Sequence, residues 1–147
     1  MAIMDSTAKT VWKGNLVQGA GTVTAGSGAF GPLPVTFAAR TEQPGGKTSP
    51  EELIAAAHAT CFSMAFSSGL AKAGNPPEEL IVEAICTLDR IGGALTITTM
   101  QLNVTGKVPG LDQAEFERLA EDAGKNCPVS RALKGSVQVS VNARLAS

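Results

Sequence analysis

Nineteen consecutive residues, Leu53 to Ala71, contain no Asp, Glu, Lys or Arg, and the stretch opens with a helix-start signal. Ser49 stands as N-cap, Pro50 at the first helical position and Glu52 three residues after the cap, the pattern of a capping box. Gly74-Asn75-Pro76-Pro77 then stops the helix near Ala73. Nineteen residues are long enough to cross a bilayer. Ala, Ser, Thr, Gly and His dominate, however, and no basic cluster flanks them. The expectation is a helix buried on all sides, whose small residues let other backbones approach closely. A chain of 147 residues seldom encloses a helix completely, so a second copy is the natural further cover.

The flanking segments read as short strands and one more helix. Thr10–Leu16, Gly21–Thr24 and Val35–Ala39 are strand candidates, with Arg40 at the end of the third and a Gly/Pro-rich loop at 41–49. Leu80–Leu88 and Ala94–Val108 form a hairpin around Ile91-Gly92-Gly93. The apolar phase of its second arm shifts between Ile97 and Met100, which places a bulge near Thr98 and Thr99. Asp112–Lys125 is an amphipathic helix with Phe116, Leu119, Ala120 and Ala123 on one stripe and Asp112 and Glu115 as its cap pair. Val137 to Leu145 alternates apolar and polar residues as a strand does. The order is strands, helix, strands, helix, strand, an α+β chain read as one domain over 1–147.

Composition removes several function classes. Twelve basic against thirteen acidic residues leave a net charge of −1, without the broad basic surface that nucleic acid requires. Apolar residues at 44% and charged residues at 17% argue against disorder. A chain of this length buries about 68–70% of its unfolded surface and needs neither disulfide nor metal to fold. The opening Met1-Ala2-Ile3-Met4-Asp5 has no basic stretch or apolar core of a signal peptide. The expected compartment is the cytoplasm, where thiols stay reduced and a disulfide is more often transient and catalytic than structural.

Three cysteines, at 61, 86 and 127, carry what chemistry the sequence offers. Cys86 alternates with Val82, Ala84 and Leu88 and reads as a small buried hydrophobe. Cys61 lies mid-helix among small residues that leave room around its sulfur. Cys127 lies eleven residues beyond Phe116, back on the apolar stripe, and precedes Pro128, where the chain bends. Spacing leaves two readings open: ordinary core cysteines, or a thiol pair. A reactive thiol needs a nearby cation to ionise, because a free thiol at about 8.5 is mostly protonated at neutral pH. Arg40, Lys47, Lys125, Arg131 and His58 are the candidates. His58, three residues before Cys61, shares its helical face and would suit a Cys–His hydrolase or transferase. It reads more simply as a packed, hydrogen-bonded side chain. No four-ligand metal spacing is present in the sequence.

The run from Ser49 through His58-Ala59-Thr60-Cys61-Phe62-Ser63-Met64-Ala65 resembles the central helix of the family of osmotically inducible protein C and the organic hydroperoxide resistance proteins. Asn126-Cys127-Pro128-Val129-Ser130-Arg131-Ala132-Leu133 resembles the family's second cysteine motif, and the likeness extends to Trp12-Lys13-Gly14 and Pro109-Gly110-Leu111. Arg40 follows the third strand, as in the osmotically inducible branch.

The resemblance implies a thiol-dependent peroxidase acting in oxidative and osmotic stress. The implied architecture is an intertwined homodimer in which antiparallel sheets wrap two central cysteine-bearing helices, with sites at the subunit interface. Cys61 matches the peroxidatic cysteine, Cys127 the resolving cysteine, Arg40 the activating arginine and Glu51 its partner carboxylate. The implied substrate is an organic hydroperoxide, with hydrogen peroxide a poorer one, and the implied reductant is an external dithiol such as a lipoyl protein. No cofactor, metal, membrane or nucleic acid is called for. Phe62, Met64 and Phe66 are the expected apolar walls of the site. A redox sensor or small-molecule binding protein on the same scaffold is the alternative.

Overall fold

A computed structural model describes residues 1–146. The chain forms two compact units, Met1–Leu53 and the residues from Ile54 onward.

In the first unit, β1 (Ala8–Lys13), β2 (Ala20–Ala25) and β3 (Leu33–Val35) form an antiparallel sheet in that order. β1 ends at Lys13 rather than Leu16. Gly14 takes φ +92°, and the Asn15 side chain then accepts the Gln18 amide at 2.7 Å, an Asx turn that replaces strand pairing. The third strand is shorter than its composition suggests. Thr36 Oγ1 accepts the Ala39 amide at 3.1 Å and caps a short helix, α1 (Phe37–Thr41). Arg40 thus sits on a helix, not at a strand end.

Helix α2 (Pro50–Lys72) starts where its capping signal places it. Ser49 Oγ accepts the Glu52 amide at 3.1 Å, but the Glu52 carboxylate accepts from Thr48 Oγ1 at 2.8 Å rather than closing a reciprocal box.

In the second unit α2 presents His58, Phe62, Phe66 and Leu70, each fully buried and four residues apart. Ala56, Ala57, Thr60, Met64 and Ser68 are exposed, so this chain covers one face of the helix rather than all sides. The buried face meets a three-stranded sheet, β4 (Glu79–Ile91), β5 (Ala94–Lys107) and β6 (Gln138–Leu145), and helix α3 (Gln113–Asn126). Phe66 stacks between Phe62 and Phe116, with ring centroids 5.5 and 4.9 Å away.

The β4–β5 hairpin turns on Gly92 and Gly93, both at positive φ as a two-residue turn of this hand requires. Thr87 pairs with Thr99 and Leu88 with Ile97, leaving Thr98 as the extra residue of the expected bulge. Beyond it Met100, Leu102 and Val104 all face the core.

β6 pairs with β5 in parallel. The expectation of antiparallel sheets is therefore corrected for this edge. The chain crosses over through α3 and α4 (Pro128–Leu133) before returning, and such a crossover delivers a parallel strand. α3 begins at its expected cap, Asp112 Oδ1 accepting the Glu115 amide at 2.8 Å. It buries Phe116, Leu119, Ala120 and Ala123 as its periodicity requires.

Candidate active site

The four residues singled out in the sequence form two pairs, one in each compact unit. In the first, Arg40 and Glu51 make an ion pair. Nε and Nη2 of Arg40 both donate to Glu51 Oε1, at 2.9 and 2.8 Å. The pair joins α1 to the first turn of α2, eleven residues apart in sequence. Glu51 is buried and its Oε2 has no hydrogen-bond partner among the described residues. The Arg40 side chain is 31% exposed. It lines a cavity of about 340 Å³ whose walls are otherwise mostly apolar, including Trp12, Leu16, Val35, Phe37 and Leu53.

The second pair is Cys61 and Cys127. Both are reduced thiols, Cys61 partly exposed and Cys127 fully buried. They are near neighbours although α2 carries one and the α3–α4 junction the other. Burial pushes the Cys61 thiol above its ordinary value. The Val129 backbone amide opposes this by hydrogen-bonding the sulfur, while the neighbouring Cys127 adds to the rise.

Cys127 is positioned by local sequence. It is the C-cap of α3 and the N-cap of α4, with Pro128 at the first helical position and its sulfur accepting the Ser130 amide at 3.4 Å. The Cys-Pro-x-Ser order is thus a helix start with sulfur in the place usually taken by Ser, Thr, Asp or Asn. That reading would have revealed α4, which the periodicity of the sequence does not.

His58 and Ser130 complete the surroundings. His58 Nε2 lies 2.7 Å from Ser130 Oγ, which lies 3.1 Å from Cys127 Sγ. His58 Nδ1 has no hydrogen-bond partner among the described residues, and burial holds the ring below its ordinary titration range. Neither ring nitrogen bonds Cys61, so the pairing that a Cys–His hydrolase needs is not made. Ser130 carried no signal of its own in the sequence.

The expected apolar walls need correction. Phe62 and Phe66 are fully buried in the core of the second unit and Met64 is an exposed residue of α2. Phe62 and Phe66 stand four residues apart, the spacing of a core stripe. Cys86, half-buried, packs on that core as expected.

Two neighbouring thiols, one of them at a helix junction, on an α+β scaffold are an arrangement able to form a disulfide. The model of the OsmC-like protein family matches residues 43–142. Peroxiredoxin OsmC of Escherichia coli is 40% identical over 126 residues, covering 86% of this chain and 87% of that protein. The organic hydroperoxide resistance protein of Xanthomonas axonopodis pv. citri is 33% identical over 98 residues, 66% of this chain and 67% of that one. Among solved structures, an organic hydroperoxide resistance protein OsmC from Legionella pneumophila superposes with a TM-score of 0.76 at 25% identity, covering 98% of this chain and 99% of that one. OhrB of Bacillus subtilis gives 0.73 at 25% identity, with 94% and 98% covered. The chain belongs to the OsmC-like protein family.

Proposed function

We propose that this chain is a thiol peroxidase that reduces organic hydroperoxides to alcohols. The names of its relatives, a peroxiredoxin and organic hydroperoxide resistance proteins, support a peroxidase-type redox role. The observation that supports the finer mechanism is the proximity of Cys61 and Cys127.

In this mechanism the Cys61 thiolate attacks the terminal peroxide oxygen. The O–O bond breaks, the alkoxide takes a proton and leaves as the alcohol, and Cys61 becomes a sulfenic acid. Cys127 then attacks that sulfur, forming the Cys61–Cys127 disulfide and releasing water. An external dithiol supplies two electrons and two protons to restore both thiols. The lipoyl group of a carrier protein fits that requirement as a compact dithiol.

Burial disfavours the Cys61 thiolate, so a cation must offset it. Arg40 is assigned that role, with Glu51 holding its guanidinium in place. The apolar cavity beside Arg40 favours an alkyl or aryl hydroperoxide over hydrogen peroxide. We place the enzyme in the reducing cytoplasm as a homodimer, in which the exposed face of α2 receives the second copy.

Stopped-flow reduction of cumene hydroperoxide, t-butyl hydroperoxide and hydrogen peroxide, each with dihydrolipoamide or thioredoxin as donor, tests the reading. Fast turnover of the organic peroxides that Cys61→Ser abolishes is expected, with Cys127→Ser halting after a single oxidation. Slow, equal rates in every combination would instead identify a redox sensor.

A further inference from the structure

Cys127 stands at the end of a buried chain of polar side chains. Its sulfur faces the Ser130 hydroxyl at 3.1 Å and the Ser130 amide at 3.4 Å, and that hydroxyl faces His58 Nε2 at 2.7 Å. His58 and Cys127 are fully buried and Ser130 is 6% exposed.

The polarity of the chain follows from one unpartnered atom. His58 is kept neutral by burial and so carries one ring N–H at neutral pH. On Nδ1, which has no partner among the described residues, that hydrogen would be a buried unpaired donor, a costlier defect than a bare lone pair. The hydrogen therefore belongs on Nε2 and is donated to Ser130 Oγ. The Ser130 hydrogen is then turned away from His58 and toward Cys127 Sγ. His58 donates to Ser130, and Ser130 donates to sulfur.

We propose that this chain gives disulfide reduction a direction: the incoming thiolate attacks Cys61, and Cys127 is the sulfur that leaves. The inference rests on the Cys61–Cys127 disulfide of the proposed function. Attack on Cys61 Sγ breaks the S–S bond and forms a mixed disulfide on Cys61. Cys127 departs with the electron pair, its new charge met by the hydroxyl and amide of Ser130. The second thiol of the donor then attacks the donor's own sulfur in the mixed disulfide. This releases Cys61 and leaves the donor as an intramolecular disulfide, with its two protons on the two protein thiols. Exposure points the same way, since Cys61 is the partly exposed residue of the two and Cys127 is fully buried. Ser130 contacts the departing sulfur, and His58 is a positioning residue that acts through Ser130.

The test uses a monothiol, which cannot complete the second attack. The full-length protein is oxidised with one equivalent of cumene hydroperoxide, treated briefly with 2-mercaptoethanol, quenched with acid and N-ethylmaleimide, and digested with trypsin. Cys61 falls in the fragment 48–72 and Cys127 in the fragment 126–131. A linked pair of these fragments before reductant is added establishes the disulfide; its absence overturns the functional reading and this inference with it. Given the pair, mercaptoethanol on 48–72 and maleimide on 126–131 are expected, and the reverse placement overturns the inference alone. Ser130→Ala is expected to slow mixed-disulfide formation roughly tenfold and to shift part of the adduct to Cys127. Ser130→Thr, which keeps the hydroxyl, is expected to restore both rate and placement. An unchanged rate and placement in Ser130→Ala would assign the serine a purely structural role.

Discussion

Arg40 rests two of its nitrogens on one oxygen of Glu51, at 2.9 and 2.8 Å, while the other carboxylate oxygen, buried, meets no donor among the described residues. The contact pins the guanidinium from one side and costs it little of its remaining donor capacity. If Arg40 activates the peroxidatic thiol, Arg40→Ala should lower the second-order rate with cumene hydroperoxide by about 10²–10³-fold, the scale of losing one preorganised electrostatic donor. Arg40→Lys keeps the charge but not the planar fork and should recover only part of that loss. Stopped-flow kinetics alongside thermal melts check both. Native rates in Arg40→Ala would remove the arginine from the mechanism.

In the proposed homodimer the same pair could serve either subunit. Glu51 and Cys61 share α2 but stand ten residues apart, about 15 Å along the axis and nearly a quarter turn out of phase. We expect the Arg40–Glu51 pair to act on the cysteine of the second subunit. In a mixed dimer of a Glu51→Ala subunit and a Cys61→Ser subunit, action across the interface puts the intact pair opposite the intact Cys61. One site should then work at full rate. Action within one subunit would leave only the impaired Glu51→Ala site.

His58 makes stability depend on pH. Burial lowers its folded titration point below the ordinary 6.5, so between the two values the unfolded chain binds the extra proton. The stability tied to the neutral ring is complete above about pH 6.5 and is lost progressively as pH falls toward the folded value. Urea midpoints measured from pH 7.5 down to pH 5 should decline over that window. His58→Gln, which cannot titrate, should flatten the decline. An identical slope in the variant would assign it to other groups.

The elements set by local periodicity were legible: α2 from its cap and charge-free run, the bulge at Thr98 from the change of apolar phase, and α3 from its stripe. What escaped was decided by side chains competing for backbone. Thr36 ends a strand by capping α1, and Cys127 starts α4, in each case through one acceptor atom that periodicity does not register. Composition could not say that β6 returns parallel, because that depends on where the α3–α4 crossover delivers the chain. In the site, the cysteines and the arginine–glutamate pair stood out by residue type. Ser130 did not, since a serine gains its meaning from a histidine 72 positions away.

The packing that holds α2 in place can be tested at one glycine. A Cβ on Gly106 would lie 2.7 Å from Cε1 and Cζ of Phe116 and 3.0 Å from Leu80 Cδ2. The Phe116 ring cannot simply step aside, because Phe66 stacks against it at 4.9 Å. Gly106→Ala should therefore cost about 1–3 kcal/mol by overpacking, and Phe116→Ala about 3–5 kcal/mol through the cavity it leaves. Together they should cost less than the sum, since the new methyl enters the space the ring vacates. Urea denaturation of the four species measures the coupling. Strict additivity would mean that the strand and the ring do not compete for the same volume, and that Gly106 is small for another reason.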